Sequence, residues 1–234
     1  AAKRDVILSF HEEEPSLVPS PGVNYGSEAA KKFGVQGAMA AAETSMIARD
    51  IALSLDTGAR VLFQHVSSGQ SPHHLSLTEH DVPAHGTYAR MNPPLRKEAD
   101  RQALIEALAD GTIDMIATDH APHTAEEKAR DFAKAPSGIT GLETAFSVCN
   151  TYLVQTGRLT PMQLLEKMSR NPAEIYGLTG RAVQAGNYAR LVLLDWDGEK
   201  VYEKYKSKGI NTPYTGMKLA GAPRAIVTGD KVTE

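Results

Sequence analysis

Three apolar runs in this chain close on polar residues of two kinds. "DVILSFH" (5–11) and "VLFQH" (61–65) end in histidine, and "DMIATDH" (114–120) ends in aspartate followed by histidine. Short apolar runs without alternation are how strands covered on both faces read, as in parallel sheets. Between the first two lies "EAAKKFGVQGAMAAAETSMIARDIALSLDTGAR", where Met46, Ile47, Ile51 and Leu55 recur at helical spacing up to Gly58. Strand, helix and strand in that order predict a βαβ unit and a parallel sheet. A further helix is predicted over 98–113, with Leu104, Ile105 and Leu108 on one face and Gly111 as its stop, and the third strand follows it. Helices are also predicted in "TGLETAFSVCNTYLVQTG" and over 160–178, where Thr160 is the N-cap and Pro161 the first helical position.

Beyond about residue 180 the pattern changes. "ARLVLLDWD" and "GAPRAIVTGDKV" read as short antiparallel strands with no helix between them. The predicted organisation is therefore an α/β domain over 1–182 and a small β subdomain over 183–234. One place breaks the order: "VLFQHVSSGQ" passes straight into "SPHHLSLTEHD", although parallel strands need a crossover of about a dozen residues or more. A segment is expected to be lacking near Gly69 and Gln70, and the opening "AAKRDVILSF" is expected to start partway through a fold.

Composition narrows the function class by exclusion. The net charge of −3 carries no basic surplus for nucleic acid, and no apolar stretch reaches the ~18 residues of a membrane span. The single cysteine, Cys149, lies in a predicted buried helix, which excludes a disulfide framework and fits a reducing, cytoplasmic setting.

The strand ends carry the chemistry. Active sites of α/β barrels and open α/β sheets gather at the carboxyl ends of the strands, where His11, His65 and Asp119 stand on three separate predicted strands. Imidazoles and a carboxylate are donors that zinc takes, and a catalytic zinc keeps a position for water whose pKa it lowers toward ~7. His73 and His74 in "SPHH" are open to roles as ligands, substrate donors or partners behind the ligands, whereas His80 and His85 read as surface groups.

"MIATDHAPHT", "RMNPPLR", "SGITGLETAF", "QHVSS", "SPHHLSLTE" and "RNPAEIYGL" together resemble the carboxyl-terminal half of the dihydroorotases, single-domain bacterial kind, of the amidohydrolase superfamily. The resemblance runs from Val6 to Val232 and implies an incomplete metal-bearing (β/α)₈ TIM barrel with a flanking β subdomain. It implies interconversion of carbamoyl aspartate and dihydroorotate in pyrimidine synthesis, with one or two Zn²⁺ ions. Residue by residue, it makes His11 and His65 metal ligands after the fifth and sixth strands, and Asp119 both a ligand and the general acid/base. Asn92, His123, Ser137 and Gly138 become substrate-binding positions, while Arg96 is left between a substrate clamp and a salt bridge. The family's His-x-His on strand one and its strand-four ligand have no counterpart here, so the site is expected to be incomplete. Implied partners are a second copy of the chain and aspartate carbamoyltransferase. The alternatives are a hydantoinase or allantoinase, or a metal-free homologue that serves as a structural partner.

Overall fold

The computed structural model of the chain describes residues 1–4, 6–64, 71–178 and 183–233. His65 and the break at Gly69–Gln70 lie outside the described residues. β1 (Ile7–Phe10) and β2 (Arg60–Phe63) pair in parallel, from Ile7 opposite Arg60 to Phe10 opposite Phe63. The connection is helical, but it is two helices rather than one. α1 (Glu28–Phe33) starts at Ser27, whose Oγ accepts from the Ala30 N–H at 3.1 Å, and stops at Gly34 in the left-handed region. The chain then leaves the helix to pair with itself: Tyr25 donates to the Ala38 carbonyl at 3.1 Å and Ala38 to that of Val23 at 2.9 Å. Gly37 permits the approach, because a Cβ there would lie 2.7 Å from the Asn24 carbonyl oxygen. α2 (Ala41–Thr57) follows and ends at Gly58, φ 67°.

The apolar stripe of α2 does not face a covered core. The helix buries Ala42, Glu43 and Asp50 instead, leaving Ile51 45% and Leu55 81% exposed. Ile47, Ile51, Val61, Phe63, Leu104 and Ile113 line a cleft of about 500 Å³ between α2, β2 and α5 (Glu98–Asp110). β1 departs from its sequence reading in the same way, with Leu8 37% exposed. The third predicted strand, 114–120, forms no ladder: its last residue, His120, makes one isolated parallel bridge with Ile139, and Ile116 donates to the Lys167 carbonyl of a helix at 2.9 Å. The physical reason is common to all three: an apolar run adopts strand geometry and buries both faces only when neighbours supply hydrogen bonds and cover.

Among the described residues between β2 and α5 come two short α-helices, α3 (Pro72–Ser76) and α4 (Val82–His85), and a 3-10 turn over Gly86–Ala89. α6 (Ala125–Lys128) has a capping box of Thr124 and Glu127, and α7 (Ala145–Cys149) continues into a π-helical turn over Asn150–Val154. α8 (Pro161–Leu165) starts at a Thr160–Gln163 capping box and runs through another π-helical turn, Glu166–Arg170, into α9 (Asn171–Ile175). Cys149 is buried as expected, and burial pushes its thiol up to about 12.

β3 (Arg190–Val201), β4 (Lys218–Thr228) and β5 (Lys231–Thr233) form an antiparallel sheet in that order. This sheet docks on α7 through polar groups. Ser147 donates to the Gly221 carbonyl at 2.6 Å, Asn150 to the Trp196 and Ala220 carbonyls at 2.8 and 3.0 Å, and Phe146 meets Trp196 edge-on. Tyr202 and Leu219 join the same buried cluster as Val23, Met91, Leu95 and Val148, so one core runs under both parts of the chain. Each such side chain, fully buried, contributes roughly 1.5–3 kcal/mol.

Candidate active site

Asp119 ends the 113–118 segment with φ 48°, the one non-glycine residue with positive φ among the described residues. Aspartate tolerates that region better than most side chains, but at a cost, so the surroundings must hold it. They do so through the next residue. His120 Nδ1 accepts from the backbone N–H of Gly141 at 3.1 Å and of Leu142 at 3.4 Å, which fixes the ring proton on Nε2. Gly141 has to be glycine at this approach, because a Cβ would lie 2.8 Å from the Thr118 carbonyl oxygen.

Three of the residues singled out in the sequence, His123, Ser137 and Gly138, come together beside this turn. Ala121 donates to the Ile139 carbonyl at 2.8 Å, and His123 Nε2 lies 2.9 Å from the Ser137 carbonyl oxygen. Gly138, φ 103°, packs so closely that a Cβ would meet that of Ala121 at 2.6 Å. The Gly138 N–H donates to the Arg90 carbonyl at 2.8 Å, which carries the contact to Asn92 two residues on.

Asn92 is linked to the end of β1. Its Nδ2 donates to Glu13 Oε2 at 2.9 Å, and the same oxygen lies 3.8 Å from His11 Nε2. Glu13 thus joins a predicted ligand to a predicted substrate residue, a role the sequence reading missed. Beside it Glu12 is buried, and burial with Asp50 opposite raises its carboxyl to about 7. The buried Oδ1 of Asn92 and Oγ1 of Thr140 have no hydrogen-bond partner among the described residues.

Two buried cations stand behind the Ser137–Gly138 loop. Arg90, 5% exposed, donates to Ser137 Oγ and stacks over Phe132, and burial lowers its pKa from a value high enough that it stays charged. Lys128, 2% exposed, donates to the Pro136 carbonyl at 2.9 Å. Burial first, then the charge of Arg90, push its ammonium down to about 8 from 10.5. The unfolded chain therefore holds this proton more tightly, so stability rises as pH increases through that window and the full cost is present below about 8. Replacing Lys128 by methionine in the full-length protein is expected to remove this rise. The difference in unfolding free energy between parent and variant should change by up to about 3 kcal/mol between neutral pH and pH 10.5. Urea unfolding at several pH values measures it; parallel curves for the two proteins would refute the assignment.

Other predicted groups have plainer places. Arg96 is buried and donates to Asn24 Oδ1 at 2.7 Å and the Ala38 carbonyl at 2.8 Å, so it ties the 23–39 loop rather than clamping a substrate. His73 and His74 are buried in α3, and His74 Nε2 lies 3.1 Å from the Pro93 carbonyl oxygen. His80 is exposed and His85 half-buried.

His11 and Asp119 are donor types that a divalent cation takes, and the His11 side chain is 43% exposed at the strand end. Among the described residues, no three histidine, cysteine, aspartate or glutamate side chains converge as a metal-holding group, and His65 lies outside them. The donor chemistry suits the metal; the described set alone falls short of a complete site.

Residues 21–233 match the sequence profile of the Amidohydrolase family. A relative named dihydroorotase from Clostridioides difficile is 49% identical over 240 residues, covering 94% of this chain and 57% of the relative. One of the same name from Clostridium acetobutylicum is 42% identical, covering 99% of this chain and 59% of the relative. The chain thus spans little more than half the length of these curated relatives. The second alignment runs over 253 residues, more than the 234 of the chain, so the relative carries residues within the aligned region that this chain lacks. Among solved structures, L-hydantoinase (dihydropyrimidinase) from Arthrobacter aurescens superposes with a TM-score of 0.81 at 26% identity, over 99% of this chain and 57% of that one. Dihydroorotase from Saccharomyces cerevisiae, at 18% identity and a TM-score of 0.68 over 95% of this chain and 64% of that one, shares the fold. The architecture is the incomplete α/β barrel of the TIM type that the family resemblance implied. With the profile spanning most of its length and relatives 42–49% identical over nearly all of it, the chain belongs to the amidohydrolase family.

Proposed function

We propose that the full-length protein is a dihydroorotase, interconverting dihydroorotate and N-carbamoyl-aspartate in pyrimidine synthesis. The observation that carries this reading is the loop pair 119–123 and 137–140, which sets His123, Ser137 and Gly138 beside the strained Asp119. The printed name of the relatives, at 42–49% identity, points the same way. Asp119 acts as general acid/base: it takes a proton from the attacking water and delivers it to the ring nitrogen as the C–N bond breaks. His123, Asn92 and the Ser137–Gly138 backbone hold the ring and its carboxylate. The buried charges of Arg90 and Lys128 make the region behind them positive, which favours an anionic substrate.

The metal in this reading is zinc, held by His11, His65 and Asp119 together with donors outside this chain. When bound, it supplies hydroxide at neutral pH. The test is turnover by the full-length protein, with elemental analysis of its metal content. Dihydroorotate should be opened with a kcat/KM at least about 100-fold above that for hydantoin, since a site built to pair a ligand's polar groups rejects rings lacking them. Equal turnover of the two rings would move the assignment to a hydantoinase, and a metal-free inactive protein would leave only a structural partner.

A further inference from the structure

We infer that Asn211 is a positioning residue that sets the substrate loops of this site; the inference rests on the dihydroorotase reading above. Asn211 lies in the connection between β3 and β4, far along the chain from the strand ends, yet it is 2% exposed. Its side chain is fully used. Oδ1 accepts from the His123 N–H at 2.9 Å, and Nδ2 donates to the carbonyls of Ala121 at 3.0 Å and Gly138 at 3.2 Å. Its own carbonyl accepts from the Thr140 N–H at 3.0 Å. One donor and two acceptors surround the amide, so only one orientation of the carboxamide satisfies all three.

These four contacts fall on both loops of the pair. Asn211 grips 121–123, which carries His123, and 138–140, which carries Gly138. The loops also meet directly where Ala121 donates to the Ile139 carbonyl and His123 Nε2 lies against the Ser137 carbonyl, and the carboxamide adds a third tie that fixes the 121–123 backbone against Gly138. Gly209 lets the connection come this close: a Cβ there would meet Asn211 Oδ1 at 2.9 Å, Pro122 Cβ at 2.9 Å and the His123 nitrogen at 3.0 Å. Glu143 anchors the same connection by accepting from the Lys206 and Ser207 N–H groups. A misplacement of about 1 Å in groups that orient a substrate costs orders of magnitude in rate or affinity. The carboxamide is placed to prevent such a shift without touching the substrate.

Asn211→Asp keeps the acceptor for His123 but turns a carboxylate oxygen toward two carbonyls. Gly209→Ala leaves the asparagine intact and displaces it by tenths of an ångström. In the full-length protein with dihydroorotate, the first should raise KM about tenfold and the second about threefold. In both, kcat should fall by less than KM rises, because Asp119 is held separately by His120. In a His123→Ala background, Asn211→Asp should raise KM by clearly less than the tenfold seen in the parent, since the His123 ring, one of the two groups it sets, is gone. If Asn211→Asp does not fold, Gly209→Ala decides alone. A KM within twofold of the parent in whichever variants fold, a loss confined to kcat, or full additivity with His123→Ala overturns the inference. Absence of dihydroorotate turnover by the parent protein would instead overturn the reading on which it rests.

Discussion

Replacing Asp119 by asparagine in the full-length protein is expected to lower kcat for dihydroorotate about 10³-fold, with the unfolding free energy within about 1 kcal/mol of the parent. The two halves of this result have separate causes. Asp119 sits at φ 48°, and asparagine is the other residue that tolerates this backbone, so the turn held by His120 has no reason to move. The carboxylate is what proton transfer needs, and a carboxamide cannot exchange a proton at working pH. Steady-state kinetics with a urea unfolding curve tests both halves at once. A variant that keeps more than a tenth of the parent activity would remove Asp119 from the chemistry.

The second large effect is expected at Gly138. Alanine there meets a backbone at φ 103° that L side chains rarely adopt, and its Cβ would lie 2.6 Å from that of Ala121. Strain in such a region costs about 1–3 kcal/mol, and overpacking a close contact costs about the same again. Gly138→Ala is therefore expected to destabilise the protein by about 2–6 kcal/mol. It should also raise KM for dihydroorotate at least about tenfold, because the Gly138 N–H and the Ser137 carbonyl move with it. Ala121→Gly removes the clash but not the backbone strain, so the double variant should recover part of the lost stability. A fully additive double variant would show that the steric contact plays no part.

Much of this arrangement could be read along the chain because it depends on local order. Apolar runs closing on His11 and Asp119 mark segment ends, and Gly58 and Gly111 mark helix stops by their freedom at positive φ. "TDHAPH" and "SGITG" identified the loop pair, although only through the family likeness of the whole motif set. Other parts were misread. The 114–120 run was expected to be a strand and the helix carrying Ile51 and Leu55 to bury them; the first makes only one isolated bridge, at His120, and the second leaves both exposed. Apolar periodicity records which face a segment would bury, and it cannot report whether another segment is there to cover it.

The groups that escaped notice share one property. Glu13, Arg90, His120 and Asn211 act through contacts with residues distant in sequence or with backbone groups. Asn211 lies 88 residues beyond His123 in "GINTPYTG", where Asn-Thr-Pro reads only as a turn. Its significance comes from which carbonyls and N–H groups face it.

The linear order of residues was enough for the family, the α/β class and the identities of His11, Asp119, Asn92 and His123 as chemical groups. The class and the strand-end groups His11 and Asp119 rest on residue type and short-range spacing, which backbone stereochemistry and side-chain chemistry make readable without a fold. The family, Asn92 and His123 came only through the resemblance of the whole motif set. The tertiary structure alone decided that Arg96 is a buried tie, that Glu13 bridges His11 and Asn92, and that Asn211 clasps two loops. Hydrogen bonds depend on distances of about 3 Å between groups that the chain brings together only by folding, and no local pattern encodes them.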